Sequence, residues 1–166
     1  MKLYLISDLH LAPPGETSKS LDTPGRLDAA LADLRQNHAD ADLCVILGDL
    51  ADHGPVPAYE SLRDRLADLP MPVRLLLGNH DQRENFRAVF PTMPCDESGF
   101  VQSVMDTPEG RLLFLDTHEP DQAGGVLCEQ RLGWLRERLA EARERPVYVF
   151  MHHPPFEIGM IIDKLR

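Results

Sequence analysis

Residues 43–52 read Leu-Cys-Val-Ile-Leu-Gly-Asp-Leu-Ala-Asp. An apolar run of this length, carrying Val45 and Ile46 and closed by a glycine, has the composition of a strand covered on both faces. Gly48 lets the backbone turn closely enough to deliver Asp49 at the carboxyl end of that strand, where its two oxygens can serve two cations. Alone, such an aspartate is more often a solvated turn residue, so the neighbouring sequence decides its meaning.

The same arrangement recurs three times. Residues 3–6 lead into Asp8-Leu9-His10, residues 73–77 into Gly78-Asn79-His80-Asp81, and residues 147–151 into His152-His153-Pro154-Pro155. Asn79 offers a neutral amide oxygen and His80 sits on the same tight turn, although an Asx-turn with an exposed histidine is the plainer alternative. Pro154 and Pro155 stiffen the exit from the last strand. Each string is weak by itself, because an Asp after a strand is often only a cap and a lone His is often structural. Four of them at four predicted strand ends bring carboxylate, amide and imidazole donors to one edge of a sheet. Borderline divalent ions accept all three, so the pattern points to a two-metal site.

Between these strings the apolar spacing becomes helical. Leu27, Leu31 and Leu34 form one stripe, Leu62, Leu66 and Leu69 a second, and Leu132, Leu135 and Leu139 a third on a surface rich in Arg and Glu. Thr23-Pro24 reads as the N-cap and first turn of the first helix. Parallel strands joined by crossover helices are therefore expected, an α/β fold with mostly parallel central strands flanked by helices. One section departs from this: residues 100–105 and 112–115 flank Thr107-Pro108-Glu109-Gly110 and predict an antiparallel hairpin. Residues 90–98 and 12–18, rich in Pro and Gly, predict irregular connections.

Composition bounds the function. The 166 residues, 43% hydrophobic, suffice for a single core, so residues 1–166 are expected to form one domain. No apolar run approaches the roughly 20 residues of a membrane span, and the N-terminus lacks a signal-peptide pattern, which favours a cytoplasmic protein with no membrane partner. Cys44, Cys95 and Cys128 are too scattered for a disulfide framework or a sulfur-ligated zinc site. A net charge of −10 argues against an extended nucleic-acid partner. It leaves room for a small anionic substrate, because bound cations would dominate the local field.

The order Asp-x-His, Gly-Asp-x-x-Asp, Gly-Asn-His-Asp and His-His-Pro-Pro resembles the calcineurin-like metallophosphoesterase superfamily over the whole chain. The wording of residues 48–52 and 151–156 is most similar to bacterial class III cyclic nucleotide phosphodiesterases and their glycerophosphodiesterase relatives. The resemblance implies two divalent metal ions, drawn from iron, manganese, zinc or cobalt. Asp8 and His10 would bind the first, Asp49 would bridge both, and Asn79 and His152 would bind the second. It implies that His80 is the catalytic residue, donating a proton to the leaving oxygen or stabilising its charge. Asp52, Asp81, His153 and Asp116 would orient the ligands, the carboxylates by fixing imidazole tautomers. His118 and His53 are candidates for substrate contact or for plain exposure.

The implied chemistry is hydrolysis of a small phosphodiester substrate, a 3′,5′-cyclic nucleotide or a glycerophosphodiester, by a water activated between two cations. The superfamily pattern continues with a Gly-His-x-His string that gives one imidazole to each metal, and no such string follows His153. The implied fold is thus a two-sheet α/β sandwich expected to lack its C-terminal part, and the domain is expected to be incomplete at that end. Residues 156–162 are apolar enough to serve as a homo-oligomer contact in a longer chain. Two alternatives remain: an inactive scaffold or truncated fragment of the same fold, and a phosphomonoesterase of the same superfamily.

Overall fold

A computed structural model describes residues 1–156. Strands β1 (Leu3–Ile6), β2 (Leu43–Ile46) and β3 (Val73–Leu75) form a parallel sheet in the order β1-β2-β3. Helix α1 (Thr23–Asn37) crosses from β1 to β2, and α2 (Val56–Leu66) from β2 to β3. A short α3 (Arg83–Val89) follows, then β4 (Ser103–Thr107), β5 (Gly110–Phe114), α4 (Glu129–Ala142) and β6 (Val147–Phe150). β4 pairs antiparallel with β5, β5 pairs parallel with β6, and these make a second three-stranded sheet.

Side-chain alternation explains the layers. On β2, Cys44 and Ile46 turn toward the helices, where they join Leu31, Leu34, Tyr59, Leu62 and Phe86 in one buried cluster. Leu43 and Val45 turn the other way and meet Leu112 and Phe114 of β5, with Leu76 filling the same layer. The two sheets therefore pack face to face through apolar side chains, as a sandwich does. On β5, Leu113 is buried on the opposite face. Arg111, which shares that face, ties α4 to the sheet by donating to the Arg138 carbonyl at 3.0 Å and to Glu141 at 3.0 Å. Leu5 of the edge strand β1 faces the second sheet but lies beyond its cover, and it stays 51% exposed.

The α/β class and the crossover helices are as expected, and four details differ. The His152 string does not share a sheet with the other three: β6 belongs to the second sheet, and packing of the sheets, not one common edge, brings it to the others. The α1 cap is Asp22, not Thr23, and its Oδ1 accepts from the Gly25 N–H at 2.9 Å. The strand expected at residues 100–105 starts at Ser103, because side chains take the earlier amides: Phe100 N–H donates to Asp96 and Val101 N–H to Asp116. On α4 the expected leucine stripe is only half buried, Leu139 is exposed, and Arg131 is the fully buried side chain. The apolar stretch of residues 157–162 lies outside the described residues; Phe156 before it is exposed.

If the sheets are held together by the layer around Leu112, then Leu112→Ala should destabilise the fold by about 2–5 kcal/mol, as cavity-forming substitutions do. Leu139→Ala on the exposed side of α4 should cost less than about 0.5 kcal/mol. Equilibrium denaturant unfolding of both variants checks this, and equal effects would contradict the packing described.

Candidate metal centre

Beyond their last strand residues, the first two strings keep running side by side. Asp8 N–H donates to the Gly48 carbonyl at 3.1 Å, His10 N–H to Asp49 at 2.8 Å, and Leu11 N–H to Leu50 at 3.1 Å. Asp52 N–H returns to the Leu11 carbonyl at 3.0 Å. Within this extension Asp8, His10 and Asp49 have φ of 58°, 44° and 50°, the left-handed region that non-glycine residues seldom occupy. Such backbone is kept where surrounding structure over-determines it, commonly at functional sites. Here the hydrogen-bonded pair of loops holds it.

Asp49 is the meeting point. Its carboxylate is almost wholly buried, with Oδ2 3.4 Å from His10 Nε2 and Oδ1 3.6 Å from His152 Nε2. Oδ1 also accepts from the His80 N–H at 2.9 Å. Two donor sets share it, each with its donor atoms within 4.8 Å of one another: Asp8, Asp49 and His152, and His10, Asp49 and His80. Asn79 lines both cavities that open at this point. The structure thus gathers Asp8, His10, Asp49, Asn79, His80 and His152 into one place.

The centre tolerates no extra atoms. A Cβ at Gly78 would strike the Asp49 carboxylate and stand 2.7 Å from His152 Nε2. At Gly48, where φ is +109°, a Cβ would stand 2.7 Å from Gly78 N and 2.8 Å from His152 Nδ1. Glycine at both positions is what lets three loops close around one carboxylate.

Surrounding groups fix the imidazoles. His152 Nδ1 lies 3.0 Å from the Leu47 carbonyl, which can only accept, so Nδ1 carries the proton and Nε2 presents a lone pair toward Asp49. His80 Nδ1 lies 3.1 Å from Asp52 Oδ1, and the buried Ser18 hydroxyl donates to Asp52 Oδ2 at 2.7 Å. Burial acts to raise the Asp52 carboxyl, but Ser18, His53 and His80 outweigh it and hold it below the usual carboxylate range. Burial pushes His10 down, with Asp49 opposing. His10 Nδ1 is buried without a hydrogen-bond partner. The shared carboxylate and the mixed nitrogen and oxygen donors, His10 Nε2 among them, fit divalent cations.

The expected supports divide into different tasks. Asp52 does hold an imidazole. Asp81 holds none: its buried carboxylate accepts from the N–H groups of Gly78 at 2.9 Å, Leu50 at 3.1 Å and Ala51 at 3.2 Å, and from the Tyr59 hydroxyl at 2.9 Å. Burial raises its pKa to about 6 despite those donors, and they bind the second and third strings together. Asp116 is fully buried and takes a two-pronged contact from Arg83 at 2.7 and 2.9 Å. His153 bonds the Thr117 hydroxyl at 2.7 Å, and burial pushes its pKa down to about 4. His118 is buried beside the centre, whereas His53 is exposed. Ser18, Tyr59, Arg83 and Arg131 escaped the sequence reading. Only Tyr59 left a signal, a hydroxyl on the buried stripe of α2 that has to find a partner.

A family model described as calcineurin-like phosphoesterase matches residues 1–164. A probable cyclic nucleotide phosphodiesterase of Rhodopseudomonas palustris is 42% identical over 170 residues, spanning 100% of this chain and 62% of the relative. A 3′,5′-cyclic adenosine monophosphate phosphodiesterase of Pseudomonas aeruginosa is 30% identical over 158 residues, 95% of this chain and 56% of that one. A probable glycerophosphodiester phosphodiesterase of Arcobacter nitrofigilis is 27% identical over 162 residues, 96% of this chain and 59% of that one. The chain thus spans only 56–62% of the length of these curated relatives. Among solved structures, a protein of unknown function from Aquifex aeolicus superposes with a TM-score of 0.50 at 20% identity, covering 98% of this chain and 84% of its own, a likeness of fold alone.

The Asp81 carboxylate gives a direct test of how the centre is built. Asp81→Ala would leave three backbone N–H groups without an acceptor in a buried site, so a loss of about 3 kcal/mol or more in unfolding free energy is expected. Asp81→Asn, which keeps one acceptor oxygen, should lose less. An alanine variant within about 1 kcal/mol of the parent in chemical denaturation would contradict this role.

Proposed function

The chain belongs to the calcineurin-like phosphoesterase family, and from that premise we propose that its residues 1–166 are one domain of a binuclear metal-dependent phosphodiesterase. The substrate classes carried by its relatives' names, 3′,5′-cyclic nucleotides and glycerophosphodiesters, are the substrates we assign to it. One observation carries the proposal: a buried carboxylate, Asp49, is shared by two sets of metal-competent donors, and among the described residues no Lys or Arg pairs with it. A carboxylate removed from water needs positive charge beside it.

The resemblance divides these donors differently from the two clusters, which group Asp8 with His152 and His10 with His80: Asp8 and His10, 3.8 Å apart, would hold one ion, Asn79 and His152 the other, and Asp49 both, and iron, manganese, zinc and cobalt all suit these donors. When bound, the two cations neutralise the phosphoryl oxygens and make a water nucleophilic at neutral pH. The chain's own residues do the rest. The Leu47 carbonyl keeps His152 in the tautomer whose Nε2 faces the centre. Asp52 accepts from Nδ1–H of His80; for Nε2 of the same ring to give the departing alkoxide its proton, the ring enters the step as imidazolium and leaves it as the neutral Nδ1–H tautomer that Asp52 holds. Ser18 and Asp52 fix that ring, whose neighbour is the edge-on His10 ring at 4.6 Å. The substrate is a small molecule, in keeping with the net charge of −10. Among the described residues, no helix is long and apolar enough to cross a membrane.

Two variants separate the roles. Asp49→Ala should lose bound metal and turnover together. His80→Ala should retain its metal while hydrolysing bis(4-nitrophenyl) phosphate about two to four orders of magnitude more slowly. Elemental analysis paired with steady-state kinetics reads both, and loss of metal from His80→Ala would make His80 a ligand and not the acid.

A further inference from the structure

A cavity of about 730 Å³ opens directly off Asn79 and His80, between α3 and the loops at residues 98–100 and 118–123. Pockets for organic ligands run to roughly 300–1,000 Å³, so this one is sized for an organic group and not for an ion. Its wall includes Gln82, Ser98 and Gln122. Arg87 marks it as a binding surface. Arg87 lines it with a guanidinium laid against Gly99, where φ is +87° and a Cβ would stand 2.8 Å from Nη1. Among the described residues no carboxylate lies within ion-pair distance of Arg87, whereas Arg83, the other arginine of this wall, is paired with Asp116.

Resting on the phosphodiesterase reading for its acyclic substrate class, the glycerophosphodiesters, the geometry points to a leaving-group subsite: this cavity holds the alcohol half of the diester that departs, and Arg87 selects alcohols bearing a strong hydrogen-bond acceptor. The side is fixed by His80. A group that protonates the departing oxygen stands beside the leaving half, and His80 is part of this cavity's wall. Glu84 and Asp121 also line the cavity, so its charge is mixed. Selection therefore comes from the directed donors of Arg87, which match a planar acceptor such as a carboxylate, and not from net field.

The test compares methyl 4-nitrophenyl phosphate with methyl 3-carboxy-4-nitrophenyl phosphate, which share the retained methyl ester and differ in the leaving phenol. With metal-loaded protein, the kcat/KM ratio of carboxylated to plain substrate should be about tenfold higher in the parent than in Arg87→Ala or Arg87→Glu, mostly through KM. Independently of turnover, the phenol product 5-hydroxy-2-nitrobenzoate should shift the amide NMR signals of Ser98 and Gly99 in the parent and not in Arg87→Glu. Equal ratios in parent and variants, with both diesters hydrolysed, would overturn the subsite and leave the phosphodiesterase reading intact. Saturable shifts without hydrolysis of either diester would support the cavity as a binding site and remove the phosphodiesterase reading.

Discussion

The Asp49 carboxylate is the constraint to which the rest of the structure answers. It is nearly inaccessible to water and lies at the junction of three loops, with His10, His80 and His152 around it. Burying a charge this way is unfavourable by several kcal/mol unless opposite charge is brought to it. Every device nearby keeps the carboxylate there. The paired loops after β1 and β2 hold the left-handed backbone at Asp8, His10 and Asp49, and Gly48 and Gly78 leave room for the approach. A site built at such cost is suited to cations that restore the balance.

Around that centre the supports are backbone-directed more than imidazole-directed. Asp81 gathers three amides and a tyrosine hydroxyl, which locks the second string to the third. Asp116 does the equivalent on the far side. It accepts from Arg83 and from the amides of Val101 and His118, while Arg131 reaches the Asp116 and His118 carbonyls at 3.2 and 2.8 Å. Phe100 sits against both guanidinium groups, at 5.2 Å from Arg83 and 4.7 Å from Arg131. Buried carboxylates used in this manner make the loops rigid, and rigid loops keep the side chains gathered at Asp49 in register.

Much of this was legible in the chain. Four apolar runs ending in polar strings give the strands and the donors at their ends, Asp8, Asp49, Asn79 and His152, because strand periodicity and strand-end chemistry are local properties. What stayed hidden depends on tertiary contacts. Helix α3 buries only Phe86 and Val89 and is too short to leave a periodic stripe. Arg131 reads as a surface residue of a charged helix, and its burial is explained by partners outside that helix, the Asp116 and His118 carbonyls and the Glu119 carboxylate. The start of β4 moved because carboxylates from other segments claimed its expected amides. That β6 lies in a second sheet follows from packing of Leu43 and Val45 against Leu112 and Phe114, which no local pattern encodes.

The account stands on cations gathered at Asp49, and the most direct measurement is anomalous X-ray scattering from crystals equilibrated with manganese, collected near its absorption edge. Two anomalous peaks flanking the Asp49 carboxylate, one beside Asp8 and His10 and one beside Asn79 and His152, are the predicted result. No peak within coordination distance of Asp49, in crystals whose manganese is visible elsewhere, would contradict it.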